Sequence, residues 1–199
     1  MILNKNFLLC SIGGMLLGTL GDQFHLISNT LGYPDHYGFY LPHQQPFWVP
    51  ALMFTAGVAL YIGHGLFQQS RFYDLRASSF IKGNIIAVFY FIMHSLSGFI
   101  PKDTSLLPTF VLLLLTIIIA LVSKIKFSGI LFSIFGSIVG VLAESFLVNI
   151  NVFYYTKENL LFLGVPVWLG CLYFVACLGT YEILESQKIV KVEVNHESL

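Results

Sequence analysis

The chain has 199 residues, of which 56% are hydrophobic and only 10% are charged. Ten Lys and Arg residues balance ten Asp and Glu residues, so the formal net charge is zero. Too few polar residues are present to cover a soluble domain of this length, and the scattered basic residues exclude the basic stripe of a nucleic-acid-binding protein. The class that remains is a multi-pass membrane protein.

Six apolar segments follow one another along the chain, each close to the ~20 residues that a helix needs to cross a bilayer. They comprise residues 7–27, 47–67, 80–100, 105–122, 127–150 and 160–184. Helices are expected because a backbone in lipid must satisfy its own hydrogen bonds, and no alternating pattern suggests a barrel. The sequence predicts an all-α membrane protein, a single six-helix transmembrane bundle over residues 1–199, with 185–199 a short polar cytoplasmic tail.

The first segment resembles a signal peptide in length, but no small-residue cleavage site follows it. We therefore interpret it as a retained first helix. Gly14 and Gly18 in this segment, and Gly136 and Gly140 in the fifth, have the GxxxG spacing that permits close approach of two helices. These glycines are expected to lie at helix contacts.

The Lys and Arg residues predict the orientation of the bundle. If the N-terminus is cytoplasmic, eight of the ten lie on the cytoplasmic side: Lys5, Arg71, Arg76, Lys82, Lys124, Lys126, Lys188 and Lys191. Only Lys102 and Lys157 lie on the opposite side. By the positive-inside rule, both termini are expected to face the cytoplasm.

The longest non-cytoplasmic connection, residues 28–46, is rich in turn-forming and aromatic residues and is expected to lie at the headgroup level. Its His36 and His43 have no nearby Cys and no carboxylate pattern, so no metal site is predicted. The three cysteines, Cys10, Cys171 and Cys177, lack CxxC spacing and are expected to be packing residues. Neither a metal nor another cofactor is expected.

Glu144 is the costliest residue of the chain, because it lies in the middle of an apolar segment where an isolated carboxylate is strongly disfavoured. We expect it to be protonated, paired with another side chain, or turned towards a polar cavity. His94 and Asn84 on the third segment are plausible neighbours.

Three further polar residues lie near the ends of the first two segments. Asp22 and His25 are three apart, so on a helix they share a face and could pair at the membrane edge. His64 lies near the cytoplasmic end of the second segment and is interpreted as interfacial. A structural role is the simplest reading of each.

Three blocks of sequence, in the same order and spacing, resemble the insulin-induced gene (INSIG) family of membrane proteins. They are QPFWVP at 45–50, AVFYFIMHSLS at 87–97, and FLVNINVFYYT at 146–156 followed by VPVWLGCLYF at 165–174. The resemblance covers most of the chain from residue 45 onward. It rests on the collinearity of the blocks, since none is decisive alone.

The resemblance implies a non-catalytic six-helix protein that regulates lipid metabolism and holds a sterol-like or acyl lipid, such as a sterol or diacylglycerol, in a central cavity. The site residues expected to contact that lipid are Phe89, His94, Trp48 and Glu144. Phe89 takes the position of the family's pocket phenylalanine. A membrane protein partner or a homo-oligomer is compatible with the resemblance, as is either the endoplasmic reticulum membrane of a eukaryote or the inner membrane of a bacterium.

Helical geometry separates two of these residues. Phe89 and His94 are five apart and therefore project about 140° away from each other at about 100° per residue. We expect Phe89 to line the cavity wall and His94 to anchor the third helix or reach the cavity rim.

The chain departs from the family pattern at three places. No acid stands in 122–129, VSKIKFSG, where the family has the aspartate needed for partner contact. Leu106 takes the place of a pocket glutamine, and Gly170 stands where the family has a proline in the sixth helix. The resemblance thus supports the family's fold and lipid cavity for this chain more strongly than it supports the family's protein partner.

The alternative is an intramembrane enzyme of lipid or isoprenoid metabolism that uses Asp22, His94 or Glu144 as acid or base. The chain contains neither an HExxH nor a GxSxG motif to favour a particular chemistry. The non-catalytic reading is preferred for that reason.

Overall fold

The computed structural model describes residues 4–34, 40–74, 78–100, 106–156 and 161–196. Through them run the α-helices α1 (Lys5–Ile27), α2 (Val49–Phe67), α3 (Phe80–Ser97), α4 (Leu107–Val122), α5 (Phe127–Asn149) and α6 (Leu169–His196). All but α4 are long and apolar enough to cross a membrane. With 16 residues, α4 extends about 24 Å at about 1.5 Å per residue. The prediction of an all-α bundle of six helices is confirmed.

The two ends of the bundle differ in the number of Lys and Arg residues near them. The basic end holds the starts of α1, α3 and α5 together with the last turns of α2, α4 and α6. The other is called the distal end. At the distal end, strand β1 (Leu31–Gly32) follows α1 and pairs antiparallel with β2 (Tyr154–Tyr155), which follows α5. This short ladder joins the connection after α1 to the connection after α5 at the distal end of the bundle.

The sequence predicted a helix from residue 160 in the sixth apolar segment, but residues 161–168 are not helical. The segment opens with a hairpin of β3 (Leu161–Phe162) and β4 (Val165–Pro166), which turns at Gly164 with φ of 80°. The pairing with β3 keeps residues 165 and 166 extended, so α6 begins only at Leu169. The helix also continues beyond residue 184, and Glu185 is buried. The segment 185–199, interpreted from the sequence as a helix end followed by a polar tail, thus begins with buried residues of α6.

The helices pack as two groups. In one group α1 lies along α2, and in the other α6 lies along both α3 and α5, whereas α2 and α5 touch only sparsely. Two of the glycines predicted at helix contacts show this close approach: a Cβ atom on Gly14 of α1 would lie 3.0 Å from the carbonyl oxygen of Met53 on α2, and one on Gly140 of α5 would lie 2.5 Å from the ring of Tyr173 on α6. The gap between α2 and α5 opens into the interior of the bundle.

The most central helix is α6. Within its membrane-crossing window 61% of the residues are buried, against 17 to 33% in the other four candidate spans. Trp168, Leu172, Val175 and Leu178 are almost fully buried and form the core with residues of α3 and α4. A helix surrounded on all sides can carry polar side chains into the interior only if they meet partners there.

The start of α2 is fixed by Gln45, the first residue of the QPFWVP block. This side chain is fully buried, donates to the carbonyl oxygen of Thr19 at 3.0 Å and accepts from Gln23 at 3.2 Å. Pro50 lies in the first turn of α2, where no intrahelical donor is needed. The connection after α1 is thereby fastened back onto α1.

Candidate functional site

A cavity of about 630 Å³ lies between the two groups of helices. It is bounded by α1 and α2 on one side, by α5 and α6 on the other, and by residues of α3. A smaller cavity of about 370 Å³ adjoins it towards the distal end and shares Asp22, Met53, Glu144 and Tyr173 with it. Volumes of this order are typical of sites for small organic molecules.

The larger cavity has an apolar wall over most of its length. Small residues face it from several helices, among them Gly13, Ala56, Ala59, Gly63 and Ala176. Because these side chains stop at or before Cβ, the helices enclose open volume instead of interlocking. The small residues are thus the sequence feature that creates the cavity.

A carboxylate–imidazole pair lies at the distal part of the larger cavity. Oδ1 of Asp22 on α1 is 3.6 Å from Nε2 of His94 on α3, and the Tyr33 hydroxyl donates to Oδ2 of Asp22 at 3.2 Å. The other ring nitrogen of His94 is 3.3 Å from the Tyr90 hydroxyl. Asp22 and His94 both line the cavity. Asp22 therefore contacts His94, whereas the sequence indicated only that it could pair with His25.

His25 lies behind this pair and holds its position. The side chain is 1% exposed, and its Nε2 is 2.9 Å from Oγ of Ser97 and 2.8 Å from the carbonyl oxygen of His94. Its ring meets those of His94 and Trp168 edge to face. A histidine bound to the backbone of the adjacent helix fixes the rotation of that helix, so His25 has a positioning role.

Glu144 of α5 turns towards the same cavity and is only partly buried. The Tyr155 hydroxyl donates to its Oε2 at 3.1 Å, and the Tyr173 hydroxyl also hydrogen-bonds to this carboxyl group. Burial, followed by the charge of Glu144, raises the pKa of Tyr155 well above its usual range, so this phenol stays a donor. The β1–β2 ladder places Tyr155 on the distal side of Glu144. The connection after α5 thereby contacts the cavity.

The structure brings only part of the predicted site together. His94 and Glu144 line the cavity, whereas Asn84 donates to the carbonyl oxygen of Phe80 at 2.7 Å, away from Glu144. Phe89 packs against the hydrophobic core and is not among the residues that bound the cavity. Phe89 thus lies away from the cavity wall that was expected for it, whereas His94 contacts both Asp22 on α1 and the cavity.

Trp48 lies one layer behind the site. Its ring meets Tyr33 edge to face with centroids 5.7 Å apart, and Tyr33 itself lines the smaller cavity. Trp48 therefore reaches the site through Tyr33.

Four tyrosines of the site were not predicted from the sequence. The hydroxyl groups of Tyr33, Tyr155 and Tyr173 contact the two acids, and that of Tyr90 contacts His94. Only the spacing of Tyr90 and His94, four apart on one helix, carried a local signal. The others come from distant parts of the chain, and nothing in the sequence brings them together before the fold is known.

A second polar cluster, called the basic-end network here, surrounds two carboxylates of α6 that are one turn apart. Glu182 and Glu185 are buried at 0 and 1% exposure. Glu185 lies 2.9 Å from Nε2 of His64, and the Tyr73 hydroxyl donates to it at 2.7 Å. Glu182 pairs with Lys82 at 3.1 Å and accepts from Ser78. His64, interpreted from the sequence as lying near the cytoplasmic end of α2, is a buried partner of Glu185 at that end of the bundle.

The basic-end network perturbs groups on the adjoining connections. Burial, together with the hydrogen bond to Glu185, raises the pKa of Tyr73 above its usual range. Burial lowers the pKa of Lys126 despite the nearby Glu182. Both shifts have burial as their largest cause, since burial disfavours the charged form of each group.

Within the described ranges, no three His, Cys, Asp or Glu side chains gather as metal ligands do. His43 lies in a short 3-10 helix at Pro42–Gln44, whereas His36 lies outside the described residues.

No protein-family model matches the chain, and no curated protein sequence matches it either. Its fold is similar to two solved structures. One is a mycobacterial Insig homologue, MvINS from Mycobacterium vanbaalenii, with a TM-score of 0.78 and 19% identity over 93% of this chain and 95% of that chain. The other is a cross-linked trimeric variant of MvINS, with a TM-score of 0.79 and the same identity and coverage. The chain is an integral membrane protein with the fold of an Insig homologue, which confirms at the level of the fold the resemblance found in the sequence.

Proposed function

We propose that this protein is a distant, prokaryotic-type member of the INSIG family that binds one sterol-like or acyl lipid in its central cavity and regulates lipid metabolism without catalysing a reaction. The observation that carries the proposal is the larger cavity, about 630 Å³ in volume and apolar except at one end. A lipid with a hydrocarbon body and a single polar group matches that distribution.

The cavity wall continues to the outer surface of the bundle. Leu66 of α2 and Phe135 and Val139 of α5 bound the cavity and are also 63, 55 and 65% exposed. They stand on the two helices that touch only sparsely. A hydrophobic ligand would enter between α2 and α5 directly from the bilayer, without crossing water.

The residues at the distal part of the cavity would hold the polar group of the lipid. Asp22 and Glu144 are acceptors, while His94, Tyr90 and Tyr173 each present a group with hydrogen-bonding capacity. Such groups cost free energy when buried without partners, so a ligand that satisfies them gains both affinity and orientation.

An intramembrane enzyme remains the rival function, because Asp22 and His94 form a carboxylate–imidazole pair that opens on the cavity. The separation of 3.6 Å is longer than the 2.6–3.2 Å, roughly, that proton transfer between two groups requires, although such contacts tighten in complexes. The pair is also explained by the polar group of a bound lipid. We therefore place the enzyme second.

Partners and location follow from the resemblance. MvINS was crystallised as a cross-linked trimer, and we infer that this chain also forms a homo-oligomer. A separate membrane protein partner would need other contacts than the family's, because 122–129 contains no acid. We infer the endoplasmic reticulum membrane in a eukaryotic cell or the inner membrane in a bacterium.

Lipids extracted from gently purified protein distinguish the two functions. A binding protein is expected to yield one predominant intact lipid class at close to one molecule per chain. An enzyme is expected to convert the extracted lipid when it is added back, and His94→Gln should abolish that conversion without lowering the melting temperature. Absence of any retained lipid, with native-like melting behaviour, would contradict the proposed function.

A further inference from the structure

The polar part of the cavity is acidic. Of the described residues that bound either cavity, Asp22 and Glu144 are the acids, and none is Lys or Arg. Any ligand that fills the site therefore meets carboxyl groups, and His94 is the basic side chain beside them among the described residues.

The two acids differ in their partners. Asp22 faces the imidazole of His94 at 3.6 Å, which can carry the balancing positive charge. Glu144 is held by the hydroxyl groups of Tyr155 and Tyr173, which donate hydrogen bonds but carry no charge. Among the residues that the structure describes, the carboxyl group of Glu144 thus faces the cavity without a Lys, Arg or His partner.

A carboxylate in apolar surroundings requires either a proton or a counter-ion, because an isolated buried charge is very costly. An anionic lipid would add a like charge at this point. A neutral alcohol would bind a protonated Glu144, whereas an ammonium group would bind the ionised form and also form a charge-assisted hydrogen bond, which is roughly twice as strong as a neutral one.

The apolar cavity wall between Glu144 and the basic end has a length that suits a single unbranched hydrocarbon tail. Glu144 and Phe132 both bound the cavity and stand on the same helix. Their separation of twelve positions corresponds to about 18 Å along the axis of α5 at about 1.5 Å per residue. Phe132 lies towards the basic end, where Leu60 and Phe67 pack against it.

We propose that the cavity selects a lipophilic amine, with the ammonium group on Glu144 beside Asp22 and the hydrocarbon tail along α5 towards Phe132. The inference rests on the proposed function, since it names the class of lipid that the same cavity binds. It goes further by assigning Glu144 as the residue that determines specificity.

Three amphiphiles with one tail test the inference: tetradecylamine, tetradecanol and tetradecanoate, each titrated into delipidated protein at pH 7 and measured by native mass spectrometry. The amine is protonated at this pH, as a lysine side chain is. We expect the dissociation constant of the amine to be about tenfold below that of the alcohol, and tetradecanoate to bind weakest.

The variant Glu144→Gln keeps the shape of the side chain and removes its charge. It should bring the amine and the alcohol to within about twofold of each other. Asp74→Asn, which removes one exposed carboxylate on the connection between α2 and α3, is the matched control and should retain the full preference. Melting temperatures of both variants show whether the bundle is intact.

An alcohol that binds as tightly as the amine to the unmodified protein would overturn the inference, and this comparison needs no variant. An unchanged preference in folded Glu144→Gln would do the same. If all three amphiphiles bind equally, only the inference fails. If none of them binds, the proposed function fails with it.

Discussion

A Cβ atom on Gly21 of α1 would lie 2.1 Å from Nδ1 of His94 on α3. The imidazole therefore occupies the space that any other residue at position 21 would fill. Because Asp22 is the next residue along α1, this close approach is what brings its carboxylate to His94. The sequence shows a glycine before an aspartate but does not show why the glycine is needed.

Gly21→Ala should displace the His94 ring and destabilise the bundle by about 1–3 kcal/mol, the usual cost of overpacking. Lipid retention should fall as well, because Asp22 and His94 separate. Gly13→Ala is the matched control on the same helix, since a Cβ there has nothing within 4 Å. The measurement is the free energy of unfolding in mixed micelles for both variants. Equal stability of the two glycine variants would show that α1 and α3 are not in close contact at Gly21.

Substitution of Phe89 should lower mainly the stability of the bundle, whereas substitution of His94 should lower mainly its lipid occupancy. Phe89→Ala removes a half-buried core side chain and should cost about 2 kcal/mol of stability, with lipid occupancy retained. His94→Gln should reduce lipid occupancy more than stability, because it lines the cavity. Native mass spectrometry beside thermal melting separates the two effects. Loss of lipid in Phe89→Ala at unchanged stability would return Phe89 to the cavity wall.

His64 and Glu185 should be coupled energetically. Removing the imidazole leaves a buried carboxylate with fewer partners, so His64→Ala should cost about 3 kcal/mol. Most of that cost should disappear when Glu185 is already replaced by Leu. A double-mutant cycle measures the coupling, which we expect to exceed about 1 kcal/mol. Additive effects of the two changes would rule out a direct interaction.

The orientation of the bundle remains a prediction from the Lys and Arg residues, and cysteine labelling tests it. In a chain whose own cysteines are replaced by serine, a cysteine at Gln69 should react with a membrane-impermeant reagent from the cytoplasm. One at Asn149 should react from the opposite side. Both residues are exposed at the ends of helices. The reverse pattern would show that the termini face away from the cytoplasm.

The helices were predictable because hydrophobicity and length are local properties of the sequence. The hairpin of β3 and β4 shifted the start of α6, and partners on distant helices extended its buried part to Glu185. His94 and Glu144 could be singled out by their cost in an apolar segment. Their partners could not, because Tyr155 and Tyr173 meet Glu144 only through the β1–β2 ladder and the packing of α5 on α6.

The central claim, a lipid inside the cavity, is tested most directly by filling the cavity. Gly63 bounds it and Gly65 does not, and a Cβ on either residue has nothing within 4 Å. Gly63→Leu should therefore fold normally but carry much less lipid, whereas Gly65→Leu should retain the lipid of the unmodified protein. The measurement is lipid occupancy of both variants by native mass spectrometry after identical purification. Equal occupancy in the two variants, at equal melting temperatures, would contradict a lipid site between α2 and α5.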